Sequence, residues 1–312
     1  METINKKYIW IFFLSLIFIM ILAFILNYIY GGGINKQPTP YNEAKFSTIK
    51  DQEGNIILTT GFPVFPEDEY ISGNNTHYII TEVNGDQALA SVLKDGENAA
   101  PEQSPATSFM SNEAVTAQAL KRPMHVVVYH THSDESYAPT SGTSTKPGEG
   151  DIYAVGSAFR ETLKNNGVSV SQSYNQHEPH DINAYHRSRR TAVQLLKQQP
   201  DAVFDIHRDS APEGLYKTTV NGQPISRVMI VIGRSNPYQY QNKNFARQVK
   251  AIGDELYPGL FLGIFMGKGN YNQDLYPTAL LFEIGTEKAT LAEAKKGAKC
   301  LGDVVMAALN QM

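Results

Sequence analysis

Three apolar runs in this sequence each end on side chains suited to metal or proton chemistry. His130, Thr131 and His132 follow VVVY, His207 follows VFDI, and Glu283 follows ALLF. Zinc favours imidazole and carboxylate ligands, and a catalytic zinc site keeps one coordination position open for water. Two histidines and one carboxylate meet that need. A further carboxylate would take the proton from the attacking water and return it to a leaving amine, and Glu283 is placed for that task. Any one of these histidines alone reads more simply as a hydrogen-bonded structural residue. Their occurrence together, each at the end of an apolar run, is what points to a site. His130 and His132 lie two apart, so on a regular strand both face the same side, one as a ligand and the other orienting it or binding substrate.

The carboxylate ligand has three candidates on residue grounds. Glu135 stands close behind the histidine pair in HTHSDESY, while Glu149 and Asp151 follow a Gly/Ser/Thr/Pro loop at the start of a helical pattern. Both of the latter also read as acidic residues favouring a helix N-terminus. Arg208 and Asp209 are expected to fix a loop or bind substrate, and Glu287 to start a helix. The remaining histidines, His77, His125, His177, His180 and His186, are taken as structural or exposed. Cys300 is the only cysteine, so no disulfide framework is available, and a lone buried thiol is the simple reading.

The elements that must position these residues alternate from Pro123 onward. HVVVYH, VSVSQSY, DAVFDIH, SRVMIVIG and TALLFEIG read as strands. AVGSAFRETLKNNG, AYHRSRRTAVQLLKQQ, NKNFARQVKAIGDELY and LAEAKKGAKCLGDVVMAAL carry apolar residues at helical spacing. This predicts an α/β domain over 122–312 with a mostly parallel sheet flanked by helices, where ligands gather at the carboxyl ends of strands. Upstream, residues 46–95 hold short β-rich runs, two of them flanking Asn84-Gly85-Asp86, which predicts a small β module with a hairpin. Residues 96–121, rich in Ala, Ser, Pro and Glu, read as a linker.

The segment Tyr8 to Tyr30 is apolar except for Ser15 and Asn27, long enough to cross a hydrocarbon core as a helix. Residues 1–30 are therefore expected to be a cytoplasmic N-terminus and a single-pass anchor, with Lys6 and Lys7 inside. Residues 31–45 are a Gly/Pro-rich tether whose span is on the order of 20 Å. Everything beyond would stand outside the cytoplasm. The 312-residue chain has a net charge of −4 and no basic stripe, which argues against nucleic-acid binding.

At the quoted residues the chain resembles the stage II sporulation protein P family, exported cell-wall hydrolases of endospore-forming bacteria. The matching text is YHTHSDESY, AVGSAFRETLKNNGV, FDIHRDSAP, YNQDL and LLFEIGTE, in the same order across Pro123 to Met312. More distantly it is similar to the zinc N-acetylmuramoyl-L-alanine amidases. The resemblance implies one zinc ion held by His132 and His207, with Glu283 as the catalytic base and acid. The wider amidases place the carboxylate ligand before the first helix, at Glu149, whereas the HTHSDESY motif favours Glu135, which is taken here. His130 has no counterpart in the wider family and would replace or support His132. The implied activity is hydrolysis of the bond between the muramic acid lactyl group and L-alanine in septal peptidoglycan during engulfment. An endopeptidase activity and work beside another sporulation cell-wall hydrolase are also implied. Two other readings remain open on the residues: a zinc peptidase restricted to peptide bonds, and an inactive cell-wall-binding module.

Overall fold

The strands form because short β-branched runs lie between turn signals. In a computed structural model, which describes residues 46–93 and 123–312, the N-terminal region gives β1 (Ser47–Lys50), β2 (Ile56–Thr60), β3 (Glu69–Ser72), β4 (His77–Asn84) and β5 (Gln87–Val92). β4 and β5 are joined through Gly85 at φ 63°, the left-handed conformation that the Asn-Gly signal provides. The expected membrane span, tether and 96–121 linker lie outside the described residues. Among the described residues no helix is long and apolar enough to cross a membrane.

After Pro123 come β6 (His125–Tyr129), α1 (Ile152–Asn165), β7 (Ser169–Gln172), α2 (Ala184–Leu196) and β8 (Ala202–Asp209). There follow a short hairpin of β9 (Lys217–Val220) and β10 (Gln223–Ser226), then β11 (Val228–Gly233), α3 (Gln239–Leu256), β12 (Phe261–Gly267), β13 (Ala279–Thr286) and α4 (Leu291–Leu309). α1 ends where the Asn-Gly signal predicts, with Gly167 at φ 84°. α4 starts on a capping box in which Thr290 and Glu293 satisfy each other's backbone N–H groups.

All the strands except β9 and β10 belong to one eleven-stranded sheet, ordered β2-β1-β5-β4-β3-β12-β11-β13-β8-β6-β7. This corrects the expectation of a mostly parallel sheet: the sheet is mixed. β7, β6, β8 and β13 run parallel, β11 is antiparallel to β13, β12 is parallel to β11, and β3 is antiparallel to β12. The physical reason lies in the connections. A parallel neighbour requires a crossover back to the starting end, usually a helix. The link from β8 to β11 is a 3₁₀ turn and a hairpin, and that from β12 to β13 is a loop with one 3₁₀ turn, so each returns the chain in the opposite direction. The N-terminal strands are continuous with this sheet through β3 and β12, and all described residues belong to one compact unit, Ala44–Met312.

Alternation along the central strands sorts the two faces. Phe204 and Ile206 of β8, Phe282 of β13 and Ile230 of β11 share one core with Phe159 of α1, Val249 of α3 and Leu301 of α4. On the opposite face Val203 and Val127 pack under Ala192 and Leu195 of α2. Farther along, Met229, Val231 and Leu281 share a core with Ile49, Leu58 and Tyr70 of the N-terminal strands. This second face carries apolar residues on β8 and β13 only as far as Val203 and Leu281. The same registers then continue as Asp205, His207 and Asp209, and as Glu283.

Candidate metal and catalytic centre

The polar continuation of β8 and β13 is buried: Asp205, His207, Asp209 and Glu283 are each no more than 3% exposed. His207 and Glu283 are direct cross-strand partners in the parallel β8–β13 pair. The third contribution arrives from the segment after β6. Its backbone is fixed by the Tyr137 hydroxyl donating to the Ile284 carbonyl at 2.8 Å and by the Thr131 N–H donating to Asp205 Oδ1 at 2.8 Å. This turns Glu135 inward, where its Oε1 lies 3.3 Å from His132 Nδ1 and 3.4 Å from His207 Nδ1, while Oε2 accepts from the Arg208 N–H at 2.9 Å. The structure thus brings together His132, Glu135 and His207, with Glu283 facing His207. Glu149 is exposed, and Asp151 is spent on the Tyr137 N–H and the Ser141 hydroxyl.

His130 is not part of this group, contrary to the expectation that it shares a side with His132. β6 ends at Tyr129, so the two-residue alternation does not extend to them. The His130 ring turns toward α1, edge-on to Tyr153 at 5.2 Å and so close to Gly156 that a Cβ there would lie 2.5 Å from its Cε1. Its Nδ1 lies 2.9 Å from the Ile206 carbonyl and its Nε2 3.0 Å from Gln172 Nε2. A neutral ring satisfies both, Nδ1–H donating and Nε2 accepting, and burial lowers its pKa to about 4.

Sequence reasoning missed three residues. His180, taken as structural or exposed, stacks on His132 at 3.9 Å, and its Nδ1 lies 2.9 Å from Asp134 Oδ1. Single ligand atoms of His132, Glu135 and His180 all fall within 4.8 Å of one another. Asp205 lies 2.9 Å from His207 Nε2, near enough for an ion pair, although the ring N–H is not aimed to complete a hydrogen bond. Tyr185 of α2 packs its ring against both His132 and His207. The only sequence signal for Asp205 was its registry two residues before His207. His180 arrives from a loop remote in sequence, and nothing in its spacing announced it.

Electrostatically, the centre calls for a cation. Burial opposes charge on His207, yet the Asp205 and Glu135 carboxylates flanking it raise its pKa well above the ordinary value. Burial would raise Glu135, but the His207 charge and hydrogen bonds from His132 and His207 hold it well below the carboxylate range. Glu283 goes the other way: burial, with the negative charges of Asp209 and Glu135, pushes it well above. Glu283 Oε2 is buried without a hydrogen-bond partner, a costly state unless another group completes it, while His207 Nε2 has only the Asp205 carboxylate beside it. Two imidazoles and a carboxylate converging in this setting fit a zinc ion, with Asp205 orienting His207 from behind as carboxylates do behind metal-bound histidines.

The N-terminal strands reach the same place. Asp209, at the end of β8, accepts from the Gly61 N–H at 2.7 Å and from the Tyr216 hydroxyl at 2.6 Å. Phe62 stands edge-on to Tyr271 at 5.6 Å, and Tyr271 to Tyr185 at 5.3 Å. A row of rings therefore runs from the loop after β2 to the histidines.

A model of the stage II sporulation protein P family matches residues 54–306. The chain is 26% identical over 267 residues to "Stage II sporulation protein P" of Bacillus subtilis (strain 168), an alignment covering 78% of this chain and 66% of that protein. Among solved structures it is similar to the CwlD amidase of Clostridioides difficile in complex with the GerS lipoprotein. That likeness covers 61% of this chain and 100% of that one, at 11% identity and a TM-score of 0.43. An N-acetylmuramoyl-L-alanine amidase from Clostridium difficile 630 matches over 61% of this chain and 96% of its own, at 12% identity and a TM-score of 0.38. With its family match running from the N-terminal strands through α4, the chain belongs to the stage II sporulation protein P family.

Proposed function

We propose that this chain is a zinc-dependent peptidoglycan hydrolase that cleaves the amide between the muramic acid lactyl group and L-alanine. One observation carries the reading: Glu135 lies within 3.4 Å of both His132 and His207, with Glu283, its Oε2 buried without a hydrogen-bond partner, set against His207 on the neighbouring strand. Family membership supports peptidoglycan as the substrate and sporulation as the setting. His132, Glu135 and His207 would hold the ion, which when bound supplies Lewis-acid polarisation and water activation. Glu283 takes a proton from the attacking water and delivers it to the leaving amine. Asp205 holds the orientation of His207, and the Tyr137–Ile284 bond keeps Glu135 turned inward.

The accompanying proposals are an N-terminal anchor in the cell membrane with this unit outside the cytoplasm, action on septal peptidoglycan during engulfment, an added endopeptidase activity, and a partner hydrolase that cuts glycan strands. The test uses the full chain and its Glu283→Gln variant, with bound zinc measured and peptidoglycan products identified by mass spectrometry. Stem peptides beginning with L-alanine, released by wild type and reduced at least a hundredfold in a variant that retains zinc, are expected; the figure of about 10² is that of a general acid–base residue. Products cut only between amino acids would reassign the protein as a peptidase. A zinc-free wild type without products would leave a wall-binding module.

A further inference from the structure

The YNQDL run, Tyr271 to Leu275, contributes nothing directly to the metal centre, yet it is built at a cost. Tyr271 and Asn272 both sit in the left-handed region, at φ 53° and 57°, which is uncommon for residues other than glycine. The Tyr271 ring fits only because residue 269 is a glycine, where a Cβ would lie 2.1 Å from its Cζ. The buried Gln273 side chain ties the run to β11, donating to the Val231 carbonyl and accepting from the Gly233 N–H, both at 2.8 Å. Strained backbone held this firmly is characteristic of segments that position a functional group.

What the run positions is the start of α2. Asn272 Nδ2 donates to the Tyr185 carbonyl at 3.0 Å and to the Ser188 hydroxyl at 3.1 Å. Asp274 accepts two bonds from Arg189 of α2, at 2.8 and 2.6 Å. Tyr271 braces the edge of the Tyr185 ring. Tyr185 is thereby held with its ring 5.5 Å from His132 and 6.3 Å from His207, nearly parallel to the latter. The charges of Asp205, Glu283 and Glu135 all act on its phenol, which makes no hydrogen bond among the described residues, and the residue as a whole is half-buried.

Carboxylates accept only, the imidazoles of His132 and His207 face Glu135, and the Arg208 guanidinium is turned away to the Ser136 and Ser144 carbonyls. Amide hydrolysis places negative charge on the former carbonyl oxygen, and a preorganised donor aimed there stabilises the transition state more than the substrate. We infer that Tyr185 is a catalytic residue whose phenol O–H donates to that oxygen, and that the YNQDL run exists to hold it there. This rests on the amidase reading above.

Tyr185→Phe removes the hydroxyl and keeps the ring. In the full chain loaded with zinc and acting on peptidoglycan, kcat is expected to fall on the order of a hundredfold with KM little changed, because a donor used only in the transition state is lost. Zinc content and melting temperature should match wild type. Tyr185→Ala, which also removes the ring from His132 and His207, is expected to lose zinc affinity as well. A Tyr185→Phe protein with wild-type kcat overturns the inference, and so does one in which only KM rises. An inactive wild type removes the amidase reading and this inference together, whereas an active wild type with an equally active Tyr185→Phe removes this inference alone.

Discussion

Gly61→Ala probes whether the N-terminal strands are joined to the proposed catalytic centre in solution as the structure has them. A Cβ built at this position lies 2.9 Å from Ser210 Cβ, 3.0 Å from the Ser210 carbonyl oxygen and 3.1 Å from Asp209 Oδ1. Two of those neighbours cannot yield without moving the end of β8. The substitution must therefore push the β2 loop away and lengthen the 2.7 Å bond from the Gly61 N–H to the buried Asp209 carboxylate. Overpacking costs about 1–3 kcal/mol, and a weakened hydrogen bond to a buried charge about 1.5–3 kcal/mol. One relaxation serves both, so the two do not add fully and the expected loss is about 2–4 kcal/mol. For a unit of this size that is a fall in melting temperature of roughly 5–10 °C. Scanning calorimetry of the full chain, with Gly214→Ala as a control because nothing lies within 4 Å of its Cβ, measures it. Catalytic activity should fall as well, since Asp209 neighbours both His207 and Glu283. A Gly61→Ala protein that melts with wild type would show that the loop after β2 does not seat on Asp209, and the row of rings through Phe62 would lose its anchor.

Two further outcomes follow from the charges. Glu69 of β3 bonds to His77 and to Lys243 of α3, at 2.8 and 2.9 Å. Burial would raise its pKa, but those two bonds lower it to about 2 from 4.5. A depressed carboxyl contributes stability that is complete above its unfolded value and lost as pH falls through the folded one. Glu69→Gln should therefore cost about 1–3 kcal/mol at pH 7, allowing for partial exposure, with more than half of that difference gone by about pH 3. Urea midpoints for the two proteins at both pH values test this, and a gap that stays constant with pH refutes it. Asp205→Asn keeps an acceptor for the Thr131 N–H but removes the charge behind His207. Zinc dissociation should become easier by about 10- to 100-fold, read by chelator competition; unchanged affinity would show that Asp205 does not support the ligand.

How much of the centre was legible depended on where each residue lies along its strand. His207 and Glu283 could be found because each follows an apolar run, and ligands gather at the carboxyl ends of strands in α/β sheets. That they stand opposite one another was not legible, because β8 and β13 are separated in sequence by β11, α3 and β12 and pair only through register. Glu135 and Glu149 could not be told apart by spacing. The distinction came from the Tyr137 anchor and the Arg208 backbone bond, which depend on residues far along the chain. His130 was misplaced because strand alternation was carried past the end of the strand. Asp205 was hidden inside what reads as an ordinary strand, where a polar residue on a buried face shows its purpose only once its neighbours are known.

The sheet teaches a related point. Strand-forming segments were readable from composition, but direction depends on what joins them, and SRVMIVIG follows FDIH with no helical pattern between. The hairpin in that interval sends β11 back antiparallel, and the gap it leaves beside β8 is filled by β13 from the end of the chain. That late insertion is what sets Glu283 against His207. The β3–β12 pairing is the other consequence: with β12 presenting an unpaired edge, the N-terminal strands extend the sheet and curl their apolar side over Met229 and Val231. Gly61 and Phe62 arrive at the centre because of that curl. The proposed catalytic arrangement is therefore a property of the whole unit from β1 to α4, and a fragment beginning near Pro123 would bare both the edge of β12 and the apolar face beneath the N-terminal strands.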